Sequence, residues 1–221
     1  MAANPAVAID GPAGAGKSTL ARLLAEKLGF VYVNTGAMYR AVALLWKERG
    51  GDPVEIARNL EFDMKGDRIL VEGRDVTDKL YTPEISELSS KISTDPRVRE
   101  ALVALQRSMR ERYPVVMEGR DIGTVVLPDA EVKFFVTASA LERARRRKAQ
   151  FSDPRPLEEI REEIERRDRR DSSRRASPLR RAPDALVVDT TGMGIEETLE
   201  VLLRFVKDRL KAYNRKNQKR R

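Results

Sequence analysis

The sequence predicts an α/β fold in which helices cover both faces of a parallel sheet, and three observations lead to it. Short apolar runs at 5–9, 31–33, 114–118, 132–136 and 185–189 have the length and composition of buried strands. Segments in which apolar residues recur at helical spacing separate these runs, and strands that alternate with helices form parallel sheets. A glycine-rich segment directly follows the first run. The chain therefore has the pattern of a doubly wound core.

The first predicted strand leads into a phosphate-binding loop, or P-loop. Residues 11–18 fit G-x-x-x-x-G-K-S, and apolar residues at helical spacing follow from Leu20. The glycines let backbone N–H groups turn toward a polyphosphate, Lys17 adds a cation, and the Ser18 hydroxyl can ligate Mg²⁺. A bare glycine turn does not need Lys-Ser after its glycines. Asp10 is expected to hydrogen-bond this loop. The expected ATP-binding residues are Gly11, Pro12, Ala13, Gly14, Ala15, Gly16, Lys17, Ser18 and Thr19.

A P-loop indicates a bound nucleoside triphosphate but leaves the reaction open. The possibilities are a GTPase switch, an ATP-driven motor, a small-molecule kinase and a simple binding module. With 221 residues the chain can hold one α/β core with insertions, which is short for a motor domain. The sequence contains no Asn-Lys-x-Asp, the usual guanine-reading motif, and this disfavours the GTPase.

Composition excludes several kinds of site. The chain has no Cys and no His, so it can form no disulfide, no thiolate metal site and no Ser-His triad. No apolar run approaches the roughly 20 residues that span a bilayer, and we expect a cytoplasmic protein. The net charge of +8 is concentrated in residues 142–181 and 204–221. For the C-terminal segment, which ends Arg215-Lys-Asn-Gln-Lys-Arg-Arg221, we favour a solvated helix end over a nucleic-acid contact, because no aromatic residue stands among the charges of these last seven residues.

One segment interrupts the alternation of strands and helices. Residues 60–76 show period-2 character around Lys65-Gly66-Asp67. This pattern is typical of a β-hairpin, here inside an insertion.

Four further motifs carry a resemblance to a known family. They are Asn34-Thr-Gly-Ala-Met-Tyr-Arg40, Glu118-Gly-Arg-Asp-Ile-Gly-Thr124, the segment from Arg166 to Arg174, and Ala182-Pro-Asp-Ala-Leu-Val-Val-Asp-Thr190. In this order, over almost the whole chain, they resemble the bacterial cytidylate kinases, which are nucleoside monophosphate kinases.

The resemblance implies a single domain with the P-loop NTPase fold, an enlarged monophosphate-binding insertion and a mobile lid. The core would comprise residues 1–35, 106–142 and 182–221. The insertion would span about 36–105 and the lid about 143–175.

The resemblance also implies a reaction, the ATP-dependent phosphorylation of CMP and dCMP in pyrimidine nucleotide metabolism, with UMP a poor substrate. Mg²⁺ would accompany ATP, with Ser18 as its direct protein ligand. Lys17, Arg120 and Arg174 would be catalytic. The acceptor phosphate, whose second pKa is about 6, is largely dianionic at neutral pH and needs no general base. The enzyme would be a monomer, with no membrane or specific nucleic-acid partner.

For the acceptor, the resemblance assigns Arg40, Arg120 and Arg174 to the CMP phosphate. Cytosine presents an N4 amino donor and an N3 acceptor, which suit Asp121 and Arg99 respectively. Ser90 would be a third contact to the base. The chain departs from the family pattern at two positions: Thr35 stands where the family often has Ser, and Ser173 stands where it often has Asn. The expected CMP-binding residues are Thr35, Tyr39, Arg40, Ser90, Arg99, Arg120, Asp121, Arg167, Asp171 and Arg174.

The segment 143–170 is predicted to be the mobile part of the lid. Arg145, Arg146, Arg147 and Arg155 lie on either side of a turn-rich break at 151–156. As a lid, these arginines would repel one another until an anion arrives. The alternative is a salt-bridged, solvent-exposed helix pair. Two other functions stay open: a P-loop kinase acting on UMP or AMP, and a basic nucleic-acid-binding or regulatory ATPase.

Overall fold

The structure, a computed structural model, describes residues 4–66 and 68–218. The chain divides into two compact units, residues 1–32 with 112–221, and residues 33–111. No helix in the described part of the chain is both long enough and apolar enough to cross a membrane.

The first unit is built on a parallel sheet with the strand order β2-β6-β1-β7-β8. The central strand β1 (Ala6–Asp10) is buried throughout. It pairs in parallel with β6 (Val115–Gly119) on one side and β7 (Val132–Thr137) on the other, and β7 pairs with β8 (Leu186–Asp189). The unit ends within β2 (Val31–Asn34). All five predicted strands are confirmed, each to within one residue at either end.

Helices flank this sheet, as predicted. Helix α1 (Lys17–Leu28) and helix α9 (Ile195–Gln218) pack against each other and contribute Leu20, Leu24 and Leu202 to the core of the sheet. The rings of Phe134 and Phe205 lie 5.5 Å apart in this core. Two further helices, α7 (Ala140–Phe151) and α8 (Leu157–Ser173), pack on each other. Between β6 and β7 the chain forms one π-helical turn, Ile122–Val126.

The second unit is mainly helical. It contains α2 (Thr35–Arg49), α3 (Pro53–Arg58), α4 (Thr77–Leu80), α5 (Pro83–Ile92) and α6 (Pro96–Arg112), of which α2 and α5 pack closely. Helix α2 begins where the Asn34 side chain accepts a 3.0 Å hydrogen bond from the Ala37 amide, which caps the helix.

The predicted hairpin is present in this unit. Strands β3 (Phe62–Lys65) and β4 (Arg68–Val71) are antiparallel, with Lys65 opposite Arg68. Gly66, in the turn between them, has a φ of +60°, which favours glycine; Asp67, the third residue of the predicted turn, lies outside the described residues. A short third strand, β5 (Arg74–Asp75), pairs with β4 and was not predicted.

The predicted solvated helix end falls in α9. The side chains of Arg204, Lys207 and Arg209 are exposed there. Residues 219–221, the last part of that prediction, lie outside the described residues.

Candidate active site

The P-loop lies between β1 and α1. Glycine is required at its positions for different structural reasons. A Cβ at Gly11, whose φ is +148°, would stand 1.9 Å from the Val136 carbonyl oxygen of the neighbouring strand. Gly14 and Gly16 also have positive φ, and Gly16 precedes α1 without giving it a side-chain cap. The first N–H groups of α1 therefore have no side-chain acceptor at the N-cap. Such a helix N-terminus is a ready site for an anion.

Lys17 is folded into the protein instead of extending into solvent. Its side chain is buried, and Nζ donates a 2.7 Å hydrogen bond to the Pro12 carbonyl of its own loop. Burial lowers the pKa of Lys17 to about 7, with help from the nearby positive charge of Arg120. The Lys17 amine can therefore lose its proton near neutral pH. A polyanion in the loop would favour its charged form.

Asp10 differs from the expectation that it hydrogen-bonds the P-loop. Its two carboxylate oxygens accept hydrogen bonds from the Ile122 amide at 2.8 Å and the Gly123 amide at 2.7 Å. These amides belong to the π-helical turn after β6. Burial raises the pKa of Asp10 to about 7, against the effect of these two hydrogen bonds. Asp10 therefore holds together the ends of two adjacent strands.

The hydroxyl of Ser18 has an acidic partner. It donates a 2.8 Å hydrogen bond to Oε1 of Glu118, which is buried near the end of β6. Glu118 is the first residue of one of the sequence motifs, but it was not predicted as a site residue. A charged residue near the end of an otherwise apolar strand was the signal that could have found it.

Three arginines surround Asp171 near the end of α8, and we call these four residues the arginine cluster: Arg120, Arg167, Arg174 and Asp171. Nε of Arg120 donates to Oδ2 of Asp171 at 2.9 Å, and a terminal nitrogen of Arg174 lies 3.1 Å from Oδ1. Burial alone would raise the pKa of Asp171, but the charges of Arg120, Arg174 and Arg167 outweigh it and lower the pKa. The carboxylate therefore stays ionised among these three guanidinium groups.

The second unit holds the other expected CMP-binding residues. The Arg99 guanidinium lies 5.4 Å from the centre of the Tyr39 ring and donates to the Ser93 carbonyl at 3.4 Å. The Ser93 hydroxyl donates in turn to the Ser90 carbonyl at 2.8 Å. The structure thus brings Tyr39, Ser90 and Arg99 into one region. Thr35, in the first turn of α2, is also buried.

Arg40 has an aromatic neighbour that the sequence analysis missed. Its guanidinium lies 5.3 Å from the centre of the Tyr81 ring, a cation–π distance. The Tyr81 hydroxyl accepts a 3.3 Å hydrogen bond from the amide of Asn34, the residue that caps α2. Tyr81 therefore links the start of α2 to the arginine one turn further on.

The α7–α8 pair has a small apolar core and a network of ion pairs. Ala144, Ile160 and Ile164 are fully buried between the helices. Glu163 accepts from Arg147 and from Arg155, both at 2.8 Å. The other carboxylate partner of Arg155 is Asp153, whose pKa this arginine lowers to about 2.

The remaining arginines of this segment are also paired. Nε of Arg146 donates to Glu142 at 2.9 Å, and its terminal nitrogens contact Thr190. Arg145 lies 3.9 Å from the same glutamate. The expectation that these arginines lack compensating charge is therefore wrong. Carboxylates two to sixteen residues away in sequence form ion pairs with them.

A comparison with known families shows which of the functions left open by the P-loop applies to this chain. A family model described as cytidylate kinase matches residues 7–208. The chain belongs to the cytidylate kinase family. A cytidylate kinase of Carboxydothermus hydrogenoformans is 51% identical over 213 residues, covering 90% of this chain and 96% of the relative. A cytidylate kinase of Thermotoga neapolitana is 47% identical over 217 residues, covering 93% and 98%.

Solved structures support the fold. A gluconokinase from Sinorhizobium meliloti matches with a TM-score of 0.52 at 15% identity, covering 97% of this chain and 99% of that one. A shikimate kinase from Bacteroides thetaiotaomicron matches with a TM-score of 0.50 at 14% identity, covering 92% and 98%. At these identities the likeness concerns the fold alone. It confirms the predicted P-loop NTPase architecture for this cytidylate kinase family member.

The CMP-binding residues expected of a cytidylate kinase divide between the two units. The first unit holds the arginine cluster and Asp121, which is buried directly after Arg120. The second unit holds the other half of the set. These residues are Thr35, Tyr39, Arg40, Ser90 and Arg99.

Proposed function

We propose a residue-level mechanism for the reaction of this cytidylate kinase family member. The chain is an ATP-dependent kinase that converts CMP and dCMP to their diphosphates. One structural observation supports the mechanism most directly. The unit that holds the P-loop also holds a cluster in which three guanidinium groups, those of Arg120, Arg167 and Arg174, gather around the Asp171 carboxylate. Phosphoryl transfer between two polyanions needs cations of this kind at both phosphates.

For the donor, residues 11–19 would hold the phosphates of ATP, with the backbone N–H groups of all of them except Pro12 as hydrogen-bond donors. Lys17 would leave the Pro12 carbonyl and take a phosphate oxygen as its partner. A hydrogen bond to an ionised partner is stronger than one to a neutral carbonyl, so the exchange is favourable once the phosphates arrive. The negative charge would also return the pKa of Lys17 toward its ordinary value. Lys17 would thus be fully charged when the γ-phosphoryl group is transferred.

The residues beside the P-loop suit Mg²⁺. A hydroxyl and a carboxylate, from Ser18 and Glu118, offer the oxygen ligands that this ion prefers. The described residues contain no group of three acidic side chains that could hold a metal unaided, and Mg²⁺ that arrives with ATP needs few protein ligands. When bound, Mg²⁺ would neutralise charge on the β- and γ-phosphates. We propose Ser18 as its direct ligand and Glu118 as the residue that orients Ser18.

For the acceptor, Arg40, Arg120 and Arg174 would bind the CMP phosphate, since a guanidinium can donate two parallel hydrogen bonds to phosphate oxygens. Asp171 would keep the cluster ordered until CMP supplies further negative charge. Asp121, Arg99 and Ser90 would contact the base. The residues proposed for the ribose and phosphate side are Thr35, Tyr39, Arg167 and Asp171.

The chemical step requires little from the protein beyond position and charge. An oxygen of the largely dianionic CMP phosphate would attack the γ-phosphorus in line with the leaving ADP. No proton has to be removed from the nucleophile, which fits a chain without histidine. Lys17, Arg120 and Arg174 would stabilise the charge on the transferring group.

We also propose the domain roles expected from the sequence. Residues of about 143–175 would form a lid that closes over bound nucleotides, and about 36–105 would be the monophosphate-binding insertion. The core would comprise 1–35, 106–142 and 182–221. The carboxylate partners of Arg147 and Arg155 fit this role, because phosphate could replace Glu163 at either arginine. The expectations of a monomeric, cytoplasmic enzyme without a membrane or specific nucleic-acid partner stand as part of this proposal.

A coupled assay of ADP release tests the function. The purified chain is given ATP and Mg²⁺ with CMP, dCMP, UMP or AMP, or with no acceptor. We expect turnover with CMP and dCMP, and a much lower kcat/KM with UMP. Preference for UMP or AMP would indicate a different monophosphate kinase. ADP release that does not depend on any acceptor would indicate a regulatory ATPase.

A further inference from the structure

Arg143, in the first turn of α7, joins three parts of the chain. The residue as a whole is 6% exposed. Nε donates to the Ala138 carbonyl at 2.9 Å, before α7 begins. A terminal nitrogen donates to the Ala13 carbonyl in the P-loop at 3.1 Å and to Oδ2 of Asp168 on α8 at 2.6 Å. One guanidinium thus connects the P-loop, α8 and the short segment between β7 and α7.

The contact with Ala13 constrains the P-loop backbone. The carbonyl and the N–H of a trans peptide point in opposite directions. Arg143, by holding the Ala13 carbonyl, therefore turns the Gly14 N–H away from itself. The P-loop and the start of α7 also pack closely here, because a Cβ at Gly14 would lie 3.2 Å from Cβ of Arg143 and 3.3 Å from the Arg143 carbonyl oxygen. The conformation of the loop at residues 13–14 thus depends on where α7 begins.

The contact with Asp168 reaches the arginine cluster. Asp168 lies between Arg167 and Asp171 on the same helix, and its negative charge acts on Arg120 as well as on Arg143. The pair is shielded from water, with side chains 8% and 20% exposed. Ion pairs in such surroundings are screened little by salt. A single carboxylate therefore faces the residue that holds the P-loop and an arginine of the cluster.

We propose that Arg143 and Asp168 are a positioning pair, which fixes the P-loop relative to the arginine cluster and so sets the alignment of the donor and acceptor phosphates. The inference rests on the proposed function, in which these two sites bind ATP and CMP. Neither residue touches a substrate in this account. Their effect is on geometry, and a displacement of about 1 Å between reacting groups can lower a rate by about a hundredfold.

The test compares Arg143→Met, Asp168→Asn and the double variant with the wild type. Steady-state kinetics at saturating ATP and CMP give kcat, each substrate is then varied for its KM, and thermal unfolding reports the fold. Lys133→Met is the matched control. Lys133 is a buried cation near the other end of β7 that donates to the Pro128 carbonyl and to Asp184. The Asp184 side chain is 63% exposed, so this variant removes the ion pair of a buried cation that makes no hydrogen bond to the P-loop.

We expect both single variants to lower kcat by about tenfold or more, with each KM within about threefold of the wild type, since the pair acts on alignment and not on binding. The double variant should be about as slow as the slower single variant. Lys133→Met should lower the melting temperature but keep kcat within about threefold. A kcat near the wild-type value in folded Arg143→Met, a change in KM alone, or additive losses in the double variant would each overturn the inference. A wild-type chain that does not phosphorylate CMP would instead overturn the proposed function.

Arg143→Lys gives a second readout. Lysine keeps the positive charge, but its compact ammonium lacks the planar fork that reaches the Ala13 and Asp168 oxygens together with the Ala138 carbonyl. We expect it to restore the melting temperature further than it restores kcat. Full recovery of kcat by lysine would show that charge alone is required and would contradict a positioning role.

Discussion

The hydroxyl of Ser18, in the first turn of α1, donates to the carboxylate of Glu118 near the end of β6, and the two oxygens lie 2.8 Å apart. A serine that can ligate Mg²⁺ is thus held by an acidic residue from the strand next to its own loop. Residues that orient metal ligands typically change metal affinity by 10–100-fold when they are replaced.

We therefore expect Glu118→Gln to raise the Mg²⁺ concentration for half-maximal activity by about tenfold or more, with a smaller loss at saturating Mg²⁺. Glutamine preserves the size of the side chain but not its charge. The measurement is a Mg²⁺ titration at fixed ATP and CMP. Glu131→Gln is the control, since that carboxylate accepts from the Ala6 amide at the opposite end of β1. An unchanged titration curve in Glu118→Gln would show that this carboxylate does not support the metal site.

Lys17→Met tests the proposed charge at the transferring phosphoryl group. Because Lys17 is buried, methionine, which fills a similar volume, is a cleaner probe than alanine. We expect kcat to fall by two or more orders of magnitude, as the loss of a charge that acts in the transition state predicts. Circular dichroism checks that the variant is folded. Turnover within a few-fold of the wild type would rule out this role for Lys17.

The same variant should change stability in a pH-dependent way. The pKa of Lys17 is lowered from 10.5 to about 7, so the unfolded chain binds more protons than the folded one between these values. The cost of burying the lysine is therefore complete below pH 7 and declines as the pH rises toward 10.5. We expect Lys17→Met to melt higher than the wild type by at least about 2 °C at about pH 6.5, and by less at about pH 9.5. A difference that grows with pH would contradict this linkage.

Base selection should depend on Asp121. Uracil presents an acceptor where cytosine presents its amino group, and an unmatched buried polar group costs about 1–3 kcal/mol. In Asp121→Asn the amide can donate to uracil, so we expect kcat/KM for CMP to fall and the CMP/UMP ratio of kcat/KM to shrink by about tenfold or more. Arg99→Met should also lower kcat/KM for CMP. Arg97→Met serves as the control, because Arg97 lies on the same helix as Arg99 but is exposed and paired with Asp95. If the ratio is unchanged in Asp121→Asn, the carboxylate does not read the base.

The lid proposal predicts ligand-dependent proteolysis. Residues 143–170 should be cleaved by trypsin in the free enzyme and protected when both substrates or a bisubstrate analogue are bound. CMP alone should protect partially. Because Glu163 already bridges Arg147 and Arg155, Glu163→Gln should speed cleavage of the free enzyme. Equal cleavage with and without ligands would leave only a salt-bridged helix pair.

The sequence was enough to predict the sheet and the P-loop. The strands could be found because β1 and its neighbours are buried on both faces and therefore appear as continuous apolar runs. The loop could be found because its chemistry lies in eight consecutive residues. Strand β5 has only two residues, too few to show any periodicity.

The contacts that complete the site could not be predicted in this way. Ser18 and Glu118 are 100 residues apart in sequence, and Arg143 and Ala13 are 130 apart. Each pair meets only because the strand order places β6 and β7 on either side of β1. The ion pairs of residues 143–170 could not be predicted either, since a count of charges shows an excess of arginine but not which carboxylate pairs with which arginine.

Gly11 has a consequence for how P-loop motifs are interpreted. Any side chain at this position would collide with the Val136 carbonyl oxygen, whether or not a nucleotide ever binds. A library of variants selected only for folding should therefore retain glycine at position 11 while it loses Lys17 and Ser18. The first glycine of the motif is required by the close approach of the loop to the neighbouring strand. Only the later positions are informative about catalysis, and a related chain that kept the glycine but lost the lysine would have inherited the architecture without the chemistry.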